Sequence, residues 1–224
     1  NDGDKKDSSN LVGRKILDSE EALDHFYLNE SAYTIFNKDK IHRPRNPEIY
    51  KAPYVLFKKG LDCADYSIRA VYTESDFLYR ETINCIKGSE KDKKTLLNLC
   101  GLLNSSLFSY FNLMLGSSTG IEREQIFLEE LGNYPYVYND ELVELVEKMQ
   151  REEWGKNRNE LQVALNQCVM RMYGLQDNYF VDYALSIQIP MLCGTYQETK
   201  CDAKSMKEYV SILSKIWDEH FGQS

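Results

Sequence analysis

Two hydrophobic periods divide the chain near residue 90. Before it, apolar positions come in short β-prone stretches bounded by turn residues. Tyr33–Phe36 is one, and Tyr54–Phe57 follows Pro53, which can open a strand but cannot donate within one. Tyr66–Tyr72 alternates apolar and polar residues as a half-buried strand does, and Thr82–Ile86 stops before Gly88. A short helix is expected ahead of these, capped by Asp18, with Leu23 and Phe26 facing inward.

After residue 90 the period becomes helical. Leu96, Leu99, Cys100, Leu103, Leu107, Tyr110, Phe111 and Met114 fall at i, i+3, i+4 and i+7 spacings, which predicts one long helix over Lys91–Leu115. Leu97, Leu102, Phe108 and Leu113 lie off that stripe, so the helix is expected to be buried on more than one side. A second helix is expected over Ile121–Leu131, stopped by Gly132 and Pro135. Tyr134–Tyr138 reads as an extended connector. Asn139 then caps a helix to about Glu152, and another runs from about Asn157 to Tyr173, with Gly174 as its terminator. Further helices are expected over 178–187 and, from the capping box Ser205-Met206-Lys207-Glu208, over 205–221, with a loop at 193–204 between them.

The expected fold class is therefore α+β: a twisted β-rich half packed on a long helix, followed by a mostly helical C-terminal half. The corresponding organisation is a flexible tail over 1–18, a β-rich domain with the long helix over 19–132, and a helical region over 133–224.

Composition narrows the function. The 224 residues are 42% apolar and 28% charged, an ordinary globular profile. No apolar run is long enough for a membrane span, and Asn1–Asn10 has no signal-peptide core, so a cytoplasmic location and no membrane partner are expected. The chain does not begin with Met, which suggests a fragment or a processed product. Cys63, Cys85, Cys100, Cys168, Cys193 and Cys201 form no C-x-x-C, and read as free thiols in a reducing compartment. His25, His42 and His220 are scattered without metal-binding spacing. Phosphate-loop, nucleophile-elbow and dinucleotide signatures are missing, so no catalytic residue and no cofactor are assigned to this chain.

Net charge is −8, which taken whole argues against a uniformly basic nucleic-acid binder. The charge is uneven, however. Residues 38–59 hold Lys38, Lys40, Arg43, Arg45, Lys51, Lys58 and Lys59 against Asp39 and Glu48, a net of +5, so the other 202 residues carry −13. A basic stretch with interleaved prolines and tyrosines suits phosphate contact and base-edge readout. It equally fits a solvated loop with clustered charge. Gly116–Gly120, with Ser117, Ser118 and Thr119, leads into Glu122-Arg123-Glu124, and such a loop can present backbone N–H groups to an anion. A plain helix–helix turn has the same composition.

Several motifs resemble one family in order and spacing. Pro53-Tyr54-Val55-Leu56-Phe57-Lys58-Lys59-Gly60 is similar to the strand opening the target-recognition region of Taq-type adenine-N6 DNA methyltransferases. Leu99-Cys100-Gly101-Leu102-Leu103-Asn104-Ser105-Ser106-Leu107-Phe108-Ser109-Tyr110 resembles that family's gLLNS helix. Gly120-Ile121-Glu122-Arg123 and Leu131-Gly132-Asn133-Tyr134-Pro135 resemble its glycine loop and exit, and Met172-Tyr173-Gly174-Leu175 a helix end common near the C-termini of restriction-modification proteins. The likeness spans about residues 40–187. Asn46-Pro47-Glu48-Ile49-Tyr50 only superficially matches the catalytic N-P-P-Y, because Glu48-Ile49 separates the proline from Tyr50.

The resemblance implies a DNA-binding specificity module of a bacterial modification or restriction-modification enzyme. Its catalytic domain, which binds S-adenosylmethionine and methylates a flipped adenine, would lie N-terminal in the same polypeptide. Lys38, Lys40, Arg43, Arg45, Lys58 and Lys59 would then face double-stranded DNA, with Ser117, Ser118, Thr119 and Arg123 as second-rank contacts. The competing expectation is a protein-interaction module docking a partner subunit through the acidic helical half.

Overall fold

The computed structural model describes residues 4–17, 22–29, 31–61, 67–117, 125–151 and 156–176. Its centre is a three-stranded antiparallel sheet in the order β8-β7-β9, formed by β7 (Tyr54–Lys58), β8 (Ala70–Thr73) and β9 (Ile83–Lys87). Leu56 sits opposite Val71 on one side and Cys85 on the other. Pro53 enters β7 through a cis peptide bond.

Alternation along β7 divides the interior in two. Tyr54 and Leu56 join one core with Leu11, Leu17, Leu23, Tyr50, Val71, Phe77, Leu78, Tyr79 and Ile83. Val55 and Phe57 join the other, with Ala70, Tyr72 and the helices. Because both faces are covered, β7 opens on the unbroken run Tyr54-Val55-Leu56-Phe57 before Lys58, and those four side chains are fully buried.

The first core is closed by short paired strands. β1 (Lys6–Asp7) pairs with β6 (Lys40–Ile41), β2 (Lys15–Leu17) with β5 (Tyr33–Ile35), and β3 (Leu23–Asp24) with β4 (Tyr27–Leu28). Residues 4–17 thus hold two strands and bury Leu11 and Leu17, a closer attachment than their polar composition suggested. The expected helix carrying Leu23 and Phe26 is a hairpin instead, while its proposed cap, Asp18, lies outside the described residues. Both side chains are buried, but in opposite cores: Leu23 in the first, Phe26 in the second. An i, i+3 spacing puts two residues on one face of a helix. The two-residue turn His25-Phe26, with Phe26 at φ 57°, sends them apart.

The second core is helical. The single helix expected over 91–115 is two, α1 (Lys93–Leu103) and α2 (Ser106–Leu115), broken at Asn104-Ser105. Ser105 Oγ accepts from the Phe108 N–H (3.3 Å) and so caps α2. The backbone groups freed by the break are taken by α5 (Lys156–Met172). Gln162 Nε2 donates to the Asn104 carbonyl (3.2 Å), and Asn166 Oδ1 accepts from the Ser106 N–H (3.1 Å). α3 (Leu128–Leu131) is shorter than expected, and residues 121–124 of that expectation lie outside the described residues. α4 (Asp140–Arg151) is capped by Asn139, whose Oδ1 accepts from the Glu141 N–H (2.7 Å), as expected. α5 ends at Gly174, at φ +68°, also as expected. The expected helices over 178–187 and 205–221, and the loop between them, lie outside the described residues.

Two asparagines lock this layer. Asn98 on α1 is fully buried; its Nδ2 donates to the Val137 carbonyl (2.9 Å) and its Oδ1 accepts from the Asn139 N–H (3.0 Å), fixing the connector where α4 begins. Asn104 brackets Ala70 on the free edge of β8 in the same manner. Gly101 lets α4 come close, since a Cβ there would stand 2.8 Å from Leu142 Cδ1 and from Val146 Cγ2. The gLLNS motif is thus structural: Gly101 admits α4, Asn104 clasps β8 and Ser105 starts α2. The molecule is α+β, with a β layer and a helical layer on opposite faces of one sheet. No helix among the described residues is long and apolar enough to cross a membrane.

Candidate nucleic-acid interface

The outer surface of the β layer gathers basic side chains around one rigid turn, Pro47–Tyr50. Asn46 Oδ1 accepts from the Glu48 N–H (3.0 Å), capping this single 3-10 turn, and Pro47 supplies its fixed φ. Tyr50 anchors it from below. Its ring meets Tyr79 edge-on at 5.1 Å, and Tyr79 in turn meets Tyr54 at 6.2 Å. The Tyr79 hydroxyl donates to the Ile49 carbonyl (3.0 Å), and Asp76 Oδ1 accepts from the Ala52 N–H (2.7 Å) at the exit. Burial raises the hydroxyl pKa of Tyr50, Tyr54 and Tyr79, so these are neutral anchors rather than reactive groups.

Glu48 points out from this turn and collects cations. Lys51 Nζ lies 2.8 Å from its Oε1, and Lys87 on β9 donates to its backbone carbonyl. The Lys51 hydrogen bond holds the Glu48 carboxyl below its usual range, and the charges of Lys51, Lys87 and Arg14 act the same way. Beside the turn lies a groove of about 430 Å³, lined by Arg14, Lys15, Tyr50, Lys51 and Asp76 among others. Arg14 and Lys15 reach it because β2 pairs with β5, and because the Lys15 carbonyl accepts from the Leu78 N–H (2.8 Å).

The sequence-predicted residues separate into groups. Lys38 and Lys40 lie exposed just before and at the start of β6, held by buried Ser8, whose hydroxyl donates to the Lys38 carbonyl (2.9 Å) and whose N–H donates to the Asp39 carbonyl (2.7 Å). Arg43 and Arg45 follow on the exposed loop into the 47–50 turn, and the Arg45 charge reaches Tyr50 and Tyr79. Lys58 and Lys59 stand at the opposite end of β7, about 13 Å from Tyr54 at ~3.3 Å per residue. There the Lys59 N–H donates to the Thr82 carbonyl (2.8 Å), and Lys59 Nζ sits over the Phe127 ring at 5.8 Å. The Ser117 N–H, expected to face an anion, donates to the Glu130 carboxylate (3.0 Å). Ser118, Thr119 and Arg123 lie outside the described residues.

Folding also brings in bases that the linear window missed. β1 sets Lys5 and Lys6 beside β6, β2 brings Arg14 and Lys15, and β9 brings Lys87. A signal for the first four was present. Residues 5–15 hold four bases and one acid, hidden by their position in a polar N-terminus. Lys51 lay inside the window, but only the fold sets it against Glu48.

On the opposite layer, α4 carries more acids than bases. Asp140, Glu141, Glu144 and Glu147 line α4, while its apolar stripe, Leu142, Val143, Leu145, Val146 and Met149, is buried in the chain's own core. Among the described residues, those of 4–89 sum to +6 and those of 90–176 to −1, so the basic excess belongs to the β layer. No cluster of His, Cys, Asp and Glu able to hold a metal occurs among the described residues.

The sequence model of one family, the TaqI-like C-terminal specificity domain, matches residues 14–136, more than half of the chain. No curated protein matches it.

Proposed function

The chain belongs to the family of TaqI-like C-terminal specificity domains, and we propose on that footing that it selects the DNA target of a site-specific adenine-N6 methyltransferase. Its role is DNA target recognition in a TaqI-like system. The observation that carries the reading is that the family match and the basic β layer coincide. Residues 14–136 include every described base from Arg14 through Lys59, together with Lys87.

In this reading Lys38, Lys40, Arg43 and Arg45 meet DNA, joined by Arg14, Lys51 and Lys87, which fold onto the same layer. Lys58 and Lys59 form a separate group at the other end of the sheet. Ser117, Ser118, Thr119 and Arg123 remain second-rank contacts. Phosphate contacts from such a face fix position and orientation, while base edges supply the sequence. The methyl donor, S-adenosylmethionine, belongs to a methyltransferase domain proposed to lie in the same polypeptide. The described residues offer no glycine-rich strand-to-helix loop that would hold it, and no step of methyl transfer falls to them. Docking of a partner through α4 has less support, because that helix turns its apolar stripe into its own chain.

Fluorescence anisotropy of the full chain with duplex DNA tests the reading. Affinity should fall steeply between about 50 and about 200 mM salt, and Arg43→Ala with Arg45→Ala should weaken it. Binding without salt dependence would overturn the DNA assignment. Sequencing DNA from cells that express the full-length protein tests the methyltransferase part: N6-methyladenine should appear at one short sequence, and its absence would remove that part alone.

A further inference from the structure

We propose that the ridge formed by the Pro47–Tyr50 turn and the adjoining Gly13–Lys15 segment is the seat of a DNA backbone phosphate, and that Glu48 occupies this seat in the unbound protein. The inference rests on the DNA-recognition reading and adds the place and manner of its strongest phosphate contact.

Three cations from three separate stretches of chain surround the Glu48 turn: Lys51 pairs with the Glu48 carboxylate, Lys87 of β9 donates to the Glu48 backbone carbonyl, and Arg14, just before β2, lines the adjoining groove with Lys51. With Lys15 and Asp76, which line the same groove, four positive charges stand against two negative, an excess of two on a surface open to solvent. Glu48 and Lys51 have side chains 62% and 53% exposed, so water and ions reach the pair freely. Such an exposed ion pair contributes little to stability. Stability therefore does not account for gathering three cations there, whereas gripping an anion does.

The framework beneath is rigid in a way surface loops seldom are. Asn46 caps the turn, Tyr79 holds its Ile49 carbonyl, Asp76 holds the Ala52 N–H, and the Tyr50 ring is pinned edge-on against Tyr79. A seat fixed by packed neighbours loses little entropy on binding. The adjacent groove of about 430 Å³ gives a phosphodiester and its sugar room to enter beside Arg14 and Lys51.

Glu48 has a definite part in this arrangement. Its carboxylate is the anion that Lys51 holds when DNA is absent, and it repels a phosphate that approaches. It therefore lowers affinity for duplexes of any sequence and keeps the ridge from binding tightly at random. On docking, the carboxylate swings aside about its side-chain torsions while the Lys87 contact to the Glu48 backbone carbonyl keeps the turn in place.

The test compares three proteins, each as the full chain, by anisotropy against a random-sequence duplex across salt. Arg14→Ala with Lys51→Ala should weaken binding about tenfold or more at low salt and reduce the slope of log affinity against log salt by about two. Glu48→Gln should do the opposite and tighten binding several-fold. Two opposed effects cannot both come from damage to the fold, and thermal melts confirm that each variant is intact. If the wild type binds with a normal salt slope while both variants match it, the phosphate seat is misplaced and the DNA reading stands. If Glu48→Gln weakens binding, Glu48 is no stand-in and the proposal fails. If the wild type shows no salt-dependent binding, the DNA reading falls and this proposal with it.

Discussion

Asn104 pairs with both backbone groups of Ala70: its Oδ1 accepts from the Ala70 N–H (3.1 Å) and its Nδ2 donates to the Ala70 carbonyl (2.8 Å). β8 is an edge strand, and a side-chain amide does here what a neighbouring strand would do. The same Oδ1 lies 2.9 Å from His25 Nδ1, so one asparagine joins the sheet, the β3–β4 hairpin and the α1–α2 break. Asn104→Ala leaves a buried N–H and weakens the bonding of a buried carbonyl. It should destabilise the chain by about 2–4 kcal/mol, measured by urea unfolding. A loss below about 0.5 kcal/mol would show that water replaces the amide at no cost.

Gly101 sets the distance between α1 and α4. Adding one methyl drives it against Leu142 and Val146, both side-chain contacts that can yield in part. Gly101→Ala should cost about 1–3 kcal/mol. Val146→Ala made in the same chain should recover part of that cost, so the pair is less than additive in a double-mutant cycle.

High pH should unfold the helical layer. Burial pushes the Tyr134 and Tyr173 hydroxyls up to about 12, against about 10 in an unfolded chain. Above about pH 10 the unfolded state therefore holds fewer protons than the folded one, and stability falls as pH rises. The contribution is whole below about pH 10 and is lost on the way to about pH 12. Urea midpoints taken across that range should drop, and Tyr134→Phe should make the drop shallower. A midpoint constant to about pH 11.5 would refute the linkage.

Lys58 and Lys59 should separate from the other bases in function. They lie at the far end of β7, and Lys59 rests on Phe127. Lys58→Ala with Lys59→Ala is expected to change duplex affinity by less than about threefold, whereas Arg43→Ala with Arg45→Ala should lower the salt slope by about two. Equal losses from the two double variants would place both ends of the sheet on DNA.

Much of the helical layer was legible because its elements are long and strongly periodic, as α4 and α5 show. β7 and β9 were legible from apolar runs with clear bounds. The break at Asn104-Ser105 was not, since neither residue is a glycine or proline and the apolar stripe continues past it. What stops the helix is a contact with Ala70, 34 positions earlier. The short strands escaped for a related reason. β1 and β6 are two residues each and pair across more than thirty positions, so nothing local marks them. The candidate site was half visible. A linear window finds Arg43 and Arg45, but only the fold sets Arg14 and Lys87 around Glu48.

β7 works as a party wall. Tyr54 and Leu56 belong to one room, Val55 and Phe57 to the other, and the exposed turns hang on the outside of the first. Residues on those turns can be exchanged without disturbing a side chain that the helices pack against. A change on those turns is therefore confined to the outer room, while the helical room behind the wall keeps the protein standing.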